Sequence, residues 1–371
     1  MKFPPREGPT DDELPRVSVV MPVYNAAAYL AEAVESVLGQ TLEDVELVAV
    51  DDASGDDTHA ILEQFARADR RVRIIANEQN LGIARSRNLG WRAARAPYIA
   101  TQDADDVSLP DRLRRQAEFL DSHPSIAAVG TMSITIGPDG QRLSSRRYPL
   151  TPRAIESTLL RRNCMEATSV TMRRTALEAV GGYRVVRSED YDLWLRLSER
   201  FQLANLPDTL VMYRVHPAQA SVVTVEAQAR WARAIAAAAR ARRSSGVDPL
   251  ANVDDVTPEV LRRLAIDESE VSAAVETELI TRASMMADLG RAEDANELLE
   301  HASRTVGPSS AKAFAAHNAL RQADALMRAR RPVAAARNVL RAYQHHPRRA
   351  HALVTEWLTP RLPGGRLNKW R

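Results

Sequence analysis

From Arg16 to about Pro149 the chain alternates between short apolar runs and longer stretches in which apolar positions recur with helical spacing. The short runs predict strands over 17–22, 46–50, 72–76, 98–101 and 126–130. The longer stretches predict helices over 27–38, 58–68, 83–94 and 110–122. Because strands that alternate with helices of this length usually pair in parallel, the pattern predicts a sheet covered by helices on both faces.

Residues 131–218 follow a less regular pattern. Pro138-Asp139-Gly140 has the residue types of a tight turn and predicts a turn between two antiparallel strands. A short helix is predicted over 173–180, where Gly181-Gly182 ends it, and an amphipathic stretch follows over 190–200. This region is therefore expected to mix short helices with antiparallel strands.

The character of the sequence changes after Val223, where Ala-rich helical sequence begins. A polar break at 244–249 (SSGVDP) follows a long predicted helix over 225–243. The segments 286–302 and 327–343 share one plan, a helix, a short break and a second helix with small residues at packing positions. They are similar to helical hairpins of the tetratricopeptide kind, although two imperfect copies do not establish a repeat array.

Length and composition place the chain among globular proteins. Its 371 residues predict two or three domains, and 45% apolar with 26% charged residues exclude wholesale disorder and a collagen-like chain. The single cysteine, Cys164, excludes an intramolecular disulfide and a cysteine zinc site. The sequence has no apolar run of 18 residues and no apolar stretch near its polar start, which disfavours a membrane span and a secretory signal. We therefore expect a cytoplasmic protein.

Basic charge is concentrated towards the C-terminus. Residues 301–371 hold 14 basic and two acidic side chains, although the whole chain carries a net charge of only +2. Such a segment is typical of a surface for anionic partners, which suggests peripheral contact with an anionic membrane or with a polyanionic acceptor. The alternative is compositional, because only three of the 50 basic residues are lysine, as in chains encoded by G+C-rich genomes.

Polar side chains follow three of the predicted strands at the point where each strand ends. Tyr24-Asn25 follows the first strand, Asp51-Asp52 ends the second, and the segment 103–106 (DADD) follows the fourth. In parallel sheets, ligands bind beyond the carboxyl ends of the strands. These clusters therefore mark one edge of the sheet as the candidate site.

The segment 103–106 carries three carboxylates in four residues, and these repel one another unless a cation binds. Carboxylate oxygens suit Mg²⁺ or Mn²⁺, ions that often bridge to phosphates of a substrate. The alternative is a solvated acidic loop before the helix that Pro110 begins. The position at the end of a strand favours the metal site.

Seven segments resemble the motifs of family 2 glycosyltransferases in order and spacing, and together they cover about 205 residues. They are 17–25 (VSVVMPVYN), 50–57 (VDDASGDD), 80–90 (NLGIARSRNLG), 102–112 (QDADDVSLPDR), 181–183 (GGY), 188–197 (SEDYDLWLRL) and 213–221 (YRVHPAQAS). The resemblance implies a GT-A fold, an α/β half-Rossmann mixed sheet flanked by helices, here followed by an α-helical C-terminal domain. It also implies inverting transfer of a sugar from a nucleotide diphosphate to an acceptor hydroxyl.

The resemblance implies roles for residues of the donor side. Asp52 matches the aspartate that hydrogen-bonds the nucleotide base, and Pro22, Tyr24 and Asn80 lie in the matching nucleotide-pocket segments. Arg87 stands where a basic residue often faces the base or the acidic cluster.

The resemblance also implies a metal site and a base. Asp103 and Asp105 match the paired aspartates of the DxD motif, with Asp105 expected on the metal and Asp103 on the ribose or the metal's water shell. Asp190 matches the catalytic base, and Glu189 is expected to position the acceptor or the base. His216 either ligates the metal, contacts the diphosphate or is structural.

Two departures from the family pattern bear on the acceptor. The Gln-x-x-Arg-Trp motif of processive members is absent after Asp190, which favours the addition of one or a few sugars. Residues 164–167 (CMEA) replace the His-Ser-type run, which leaves the acceptor contacts open. Cys164 itself is expected to be buried as a small apolar residue.

The prediction is therefore a glycosyltransferase that uses Mn²⁺ or Mg²⁺. Its predicted domains are a flexible segment over 1–15, a GT-A domain over 16–220 and a helical domain over 221–371. The donor is expected to be a UDP-sugar, with dTDP- and GDP-sugars as alternatives, and the acceptor a cell-envelope glycan, a glycolipid or a metabolite; no nucleic acid is expected. A nucleotidyltransferase on a similar sheet and an inert scaffold protein are the rival hypotheses.

Overall fold

The computed structural model describes residues 14–216, 219, 224–288, 290–306 and 332–345, with single positions at 312, 315–316, 319–320, 323 and 350. Backbone contacts divide the chain into two units, one of residues 1–216 and 230–266 and the other of residues 217–229 and 267–371. The predicted boundary near residue 220 stays a prediction. The predicted flexible segment over 1–15 lies almost wholly outside the described residues.

The first unit is built on one mixed sheet of nine strands. In chain order these are β1 (Val17–Val23), β2 (Val45–Asp51), β3 (Val72–Ala76), β4 (Tyr98–Thr101), β5 (Val107–Ser108), β6 (Ile126–Ile136), β7 (Arg142–Arg146), β8 (Thr171–Arg173) and β9 (Gln202–Arg214). Across the sheet they lie in the order β3-β2-β1-β4-β8-β6-β9-β5, with β7 paired to β6. The first four pair in parallel, whereas β8 is antiparallel to both β4 and β6.

Helices cover this sheet because their apolar faces need a buried partner. They are α1 (Leu30–Leu38), α2 (Thr58–Ala68), α3 (Ile83–Ala93), α4 (Arg112–Ser122), α5 (Pro152–Leu159), α6 (Arg174–Ala179) and α7 (Glu189–Ser198), with a 3₁₀ turn at Ala167–Ser169. Helix α3 approaches β1 closely at Gly90, where an added Cβ would lie 2.4 Å from Val20 Cγ1. That glycine therefore allows the close packing of α3 against strands β1 and β2.

The predicted elements of the first half are confirmed, with α2, β3 and β4 found at the predicted residues. The turn at Pro138-Asp139-Gly140 joins the antiparallel strands β6 and β7, and α6 ends before Gly181-Gly182. Strand β9, which has 13 residues and pairs in parallel with β6, was not predicted from the sequence. The register between these strands shifts near Pro207. Proline lacks the N–H that a strand donates to its neighbour, so its presence argued against a strand here.

Three further helices are α8 (Val225–Ser245), α9 (Pro258–Arg263) and α10 (Glu268–Asp288). Most of α8 and all of α9 belong to the first unit, and α10 belongs to the second. Trp231 and Leu261 are buried. In the second unit, α10 packs against α11 (Ala292–Val306) after a turn in which Gly290 has φ +74°. A helical C-terminal region is thus confirmed, and α12 (Pro332–His345) continues it.

Of the predicted hairpin over 327–343, residues 327–331 lie outside the described residues, as does most of the basic segment 301–371. Within the part of the chain that the structure describes, no helix is long and apolar enough to cross a membrane.

Candidate active site

The acidic loop, residues 103–106, follows β4 and is supported by the buried side chain of Arg112. Arg112 opens α4, is fully buried, and donates to Gln102 Oε1 and Ser108 Oγ, each at 2.8 Å, and to the Thr101 carbonyl at 2.6 Å. The Gln102 amide donates in turn to the Asp106 carbonyl at 2.8 Å. Side chains on both sides of the acidic loop thereby fix its backbone.

The three aspartates of this loop have different surroundings. Asp106 is fully buried, its Oδ1 accepts from the Arg214 backbone N–H at 2.7 Å, and its Oδ2 has no hydrogen-bond partner among the described residues. Burial and the neighbouring charges of Asp105 and Asp103 hold the pKa of Asp106 well above its ordinary value. Asp103 and Asp105 keep 26% and 21% of their side chains exposed, so these two carboxylates of the loop are accessible from solvent.

Arg87 joins the acidic loop to the helix predicted to carry the base. From the buried face of α3 it donates to Asp103 Oδ1 at 2.8 Å and to Glu189 Oε1 at 2.6 Å. Burial would lower the pKa of Arg87, but the charges of Asp103 and Glu189 outweigh it and raise that pKa. The expectation that Arg87 faces the acidic cluster agrees with these contacts.

Glu189 and Asp190 occupy the first turn of α7, where the helix dipole favours negative charge. Burial, opposed by Arg87 and reinforced by the charge of Asp190, raises the pKa of Glu189 to about 7. Burial likewise raises the pKa of Asp190, while Arg87 and a hydrogen bond from Asn163 act in the opposite direction. The 2.9 Å bond runs from Asn163 Nδ2 to Asp190 Oδ2.

The end of β9 brings a second group of side chains to the loop. His216 Nε2 lies 3.1 Å from Asp105 Oδ2, and the imidazole lies against Tyr29 with ring centroids 4.9 Å apart. Arg214 is buried and donates to Glu32 Oε2 at 2.6 Å and to the Asp105 carbonyl at 2.8 Å. Arg214 therefore pairs with a carboxylate of α1 and supports the backbone of the acidic loop.

The donor atoms present fit a divalent cation shared with a substrate. Asp105 Oδ2 and His216 Nε2 lie 3.1 Å apart, and Asp106, the next residue after Asp105, has a buried Oδ2 without a hydrogen-bond partner among the described residues. Among the described residues no three His, Cys, Asp or Glu side chains form a ready metal cluster. Mg²⁺ and Mn²⁺ commonly take one or two protein ligands and complete their shell with substrate phosphates and water, which suits this donor set.

The predicted nucleotide-side residues lie at the carboxyl ends of β1 and β2 and in the loop before α3. Tyr24 is 53% exposed, Asn80 is exposed and Pro22 is half-buried, so all three are open to a ligand. Asp52 is buried, and its two oxygens accept from Asn77 Nδ2 and from the backbone N–H groups of Leu81 and Gly82. Asp52 therefore supports the loop that carries Asn80, and its contact with a base stays a prediction.

Sequence reasoning missed Asn163, Arg112 and Glu166. Glu166 accepts from Arg146 at 3.1 Å and from the Tyr148 hydroxyl, and its charge also acts on Asp103 and Asp106. The departure at residues 164–167 was the available signal for this region, whereas nothing local marks Asn163 as a neighbour of Asp190. Cys164 is buried, as expected, and Trp194 is fully buried.

The chain matches the model of the family described as Glycosyl transferase family 2 over residues 18–191. EpsE of Bacillus subtilis (strain 168), which is named as a glycosyltransferase, is 37% identical over 54% of this chain and 73% of its own length. An uncharacterized glycosyltransferase of Haemophilus influenzae is 30% identical over 60% of this chain and 73% of its own length. The matched residues run from β1 to the first turn of α7 and include Asp105 and Asp190.

A crystal structure of S. aureus TarS 1-349 in complex with UDP-GlcNAc is similar to this structure, with a TM-score of 0.51 and 17% sequence identity. The likeness covers 79% of this chain and 92% of that one. It confirms the predicted GT-A fold, with its mixed sheet and flanking helices.

Proposed function

Because the chain belongs to glycosyl transferase family 2 and is a glycosyltransferase, we propose that it transfers a sugar with inversion from a nucleotide diphosphate to an acceptor hydroxyl. The contact that carries this proposal is the double ion pair of Arg87. It ties Asp103 of the acidic loop to Glu189, the neighbour of Asp190, although the two lie 86 positions apart in the chain. A single displacement requires a base on the face of the anomeric carbon opposite the leaving diphosphate, and this ion pair supports a shared site for the acidic loop and Asp190.

In this proposal Asp190 is the general base. Its carboxylate takes the proton of the acceptor hydroxyl while that oxygen attacks the anomeric carbon, and the bond to the diphosphate breaks with its electron pair leaving on the diphosphate. A pKa raised by burial makes Asp190 a stronger base than an exposed aspartate. Glu189 holds Arg87, so it acts as a positioning residue for the base helix.

Asp105 and His216 would hold a divalent cation, with Asp103 beside them on Arg87. When bound, the cation stabilises the negative charge that develops on the leaving diphosphate. The protein's own part is to keep Asp105 in place, which Arg214 does by binding its backbone carbonyl.

The donor proposed is a UDP-sugar. The similar TarS structure holds UDP-GlcNAc, and Tyr24 and Asn80 leave an accessible edge at the ends of the nucleotide-side strands. The acceptor proposed is a glycan, glycolipid or metabolite hydroxyl that receives one or a few sugars, since the motif of processive members is absent. A GT-A domain over 16–220 and a helical domain over 221–371 remain the proposed division.

The basic segment 301–371 is proposed to dock the enzyme on an anionic surface, where each charge contributes on the order of 1 kcal/mol. Sedimentation with liposomes checks this. Greater recovery with anionic than with neutral lipid is expected, and equal recovery would contradict it.

The test of the function is a panel of UDP-, GDP- and dTDP-sugars with Mn²⁺ or Mg²⁺, read as released nucleoside diphosphate. One donor class should turn over, and chelation should stop it. Asp105→Asn and Asp190→Asn should each lower kcat at least about a hundredfold. Arg161→Ala, a change at an exposed position two residues before Asn163 in the chain, is the matched control. Turnover that survives Asp190→Asn would remove the base assignment.

A further inference from the structure

Asp190 receives a hydrogen bond from Asn163, a residue outside the seven segments that resemble the family motifs. Asn163 follows α5 in an exposed position, and its Nδ2 donates to Asp190 Oδ2 at 2.9 Å. The two residues lie 27 positions apart on separate elements. The bond therefore depends on how the loop over residues 160–166 is anchored.

The other end of the Asn163 amide is also bound. Its Oδ1 accepts from the Met165 backbone N–H at 3.2 Å. An amide oxygen that accepts from a backbone N–H leaves only the NH₂ group to face the carboxylate. The orientation of Asn163 is thus set by its own loop, and the group turned towards Asp190 is a donor.

The loop itself is pinned to the core beside Asn163. Cys164 and Met165 are buried, and the Cys164 carbonyl accepts from Asn205 Nδ2 on β9 at 3.3 Å. Cys164 and Met165, which stand where the family usually has the His-Ser-type run, therefore anchor the loop to the core. They hold Asn163 at the surface, where it meets the base.

From this geometry we infer that Asn163 is a positioning residue for the base, fixing the orientation of the Asp190 carboxylate and favouring its ionised form. The inference rests on the proposed function, in which Asp190 takes the acceptor proton. A neutral N–H that donates to a carboxylate stabilises the charged form, because the bond is stronger to an ionised acceptor than to a neutral one.

The groups that act on Asp190 come from several elements. They are Arg87 of α3, Asp103 of the acidic loop, Tyr183 before α7, and Glu189 and Tyr191 of α7 itself. Burial and Asp103 oppose the ionised form of Asp190, whereas Arg87 and Asn163 favour it. Loss of Asn163 therefore leaves Arg87 and the Tyr191 backbone N–H to act against burial and the charge of Asp103.

The experiment compares kcat/KM of the full chain and of Asn163→Ala between pH 5.5 and pH 9, with the fastest donor of the panel. We expect Asn163→Ala to lose about tenfold at pH 6, the cost of one hydrogen bond to a charged group. The loss should narrow to about threefold or less at pH 9, where Asp190 is ionised in both proteins. A structural role would instead lower the two curves in parallel.

Asn163→Asp is the second variant. It faces Asp190 with a like charge and should lose more than Asn163→Ala at pH 6, because two adjacent carboxylates share a proton. Arg161→Ala is the matched loop control and should follow the unchanged protein across the pH range. Binding of UDP should stay within about twofold in both Asn163 variants, since the proposed contact is on the acceptor side.

The outcomes separate this inference from the proposed function. If Asp190→Asn retains turnover, the proposed base is wrong. If Asp190→Asn loses turnover while Asn163→Ala runs parallel to the unchanged protein, Asn163 is not a positioning residue and the proposed function stands. If Asn163→Ala fails to fold, Asn163→Asp, which keeps the shape of the side chain, decides the matter on the same pH profile.

Discussion

Arg87 is buried and has two carboxylate partners from distant parts of the chain; its contact with Glu189 is buried and its contact with Asp103 is partly buried. A guanidinium suits this task because its planar fork presents separate N–H groups to two acids at once. Removing one partner of a buried pair is costly because a buried charge is left behind. The positive charge of Arg87 between Asp103 and Glu189 therefore offsets the repulsion between these acids and their acidic neighbours.

Glu189→Gln should change how stability depends on pH. The pKa of Glu189 is raised to about 7 from an ordinary value near 4.5, so folding takes up a proton between those pH values. The stabilisation from Glu189 is therefore full below pH 4.5 and is lost as the pH rises through 7. Relative to Glu189→Gln, the unchanged protein should lose about 2 kcal/mol of unfolding free energy between pH 5 and pH 8.

Urea unfolding at pH 5, 6, 7 and 8 measures this difference. Glu178→Gln, at an exposed position on α6, is the control and should run parallel to the unchanged protein. Parallel curves for Glu189→Gln as well would contradict the assigned shift.

Helix α7 carries Glu189 and Asp190 in its first turn and is held in place by a buried acid two residues after Asp190. Asp192 is fully buried and accepts from Arg184 Nε at 2.9 Å and from Arg196 Nε at 2.7 Å. Arg184 also donates to Asp248 Oδ2 at 2.6 Å, and Asp248 accepts from Arg242 of α8 at 3.1 Å. A charge network thus couples the base helix to residues 230–266, which belong to the same unit.

Asp192→Asn tests this coupling at the level of the element. The substitution keeps the shape but leaves two arginines facing a neutral amide, so we expect a loss of about 3 kcal/mol in unfolding free energy. Turnover should fall with it, since α7 carries the proposed base.

Asp208→Asn is the contrasting control. It breaks a half-exposed pair with Arg115, 2.7 Å long, and should cost less than about 1 kcal/mol. Thermal or urea unfolding distinguishes the two. Equal small losses would show that the buried network does not hold α7.

Across the molecule, like charges accumulate on one side of the sheet. The carboxylates that act on one another there are Asp103, Asp105, Asp106, Glu166, Glu189 and Asp190. The pKa of Asp103, of Asp106 and of Asp190 is raised in each case first by burial and then by neighbouring acids. A cation bound among these carboxylates would stabilise the folded protein, because it would reduce the repulsion between their charges.

Mn²⁺ with UDP should therefore stabilise the whole fold. At one hundred times the dissociation constant, the ligand pair should add about 2.7 kcal/mol to the free energy of unfolding and raise Tm by several degrees. In Asp105→Asn the increment that depends on Mn²⁺ should disappear, while any increment from UDP alone remains. A thermal shift that is the same with and without Mn²⁺ would argue against a metal at Asp105.

The periodicity of the chain determined the elements of the first half, because α2, β3 and β4 depend on local spacing of apolar residues. The position of the motif around Asp103 and Asp105 was also predicted from the sequence, because a segment directly after a parallel strand lies at the edge where ligands bind. The long strand β9 was not predicted, because its proline and its register shift break the local pattern. Its place beside β6 is decided by pairing across some 75 residues.

What only the tertiary structure decided is which side chains meet. The Arg87–Glu189 pair, the Asn163–Asp190 bond and the support of Asp105 by Arg214 join residues 102, 27 and 109 positions apart. Such contacts follow from strand register and helix packing, which local propensity does not specify. The sequence by itself thus determined the residue types and the strand ends at which they stand, whereas the fold decided which of them face one another, because a carboxylate's role depends on the charges and donors brought to it.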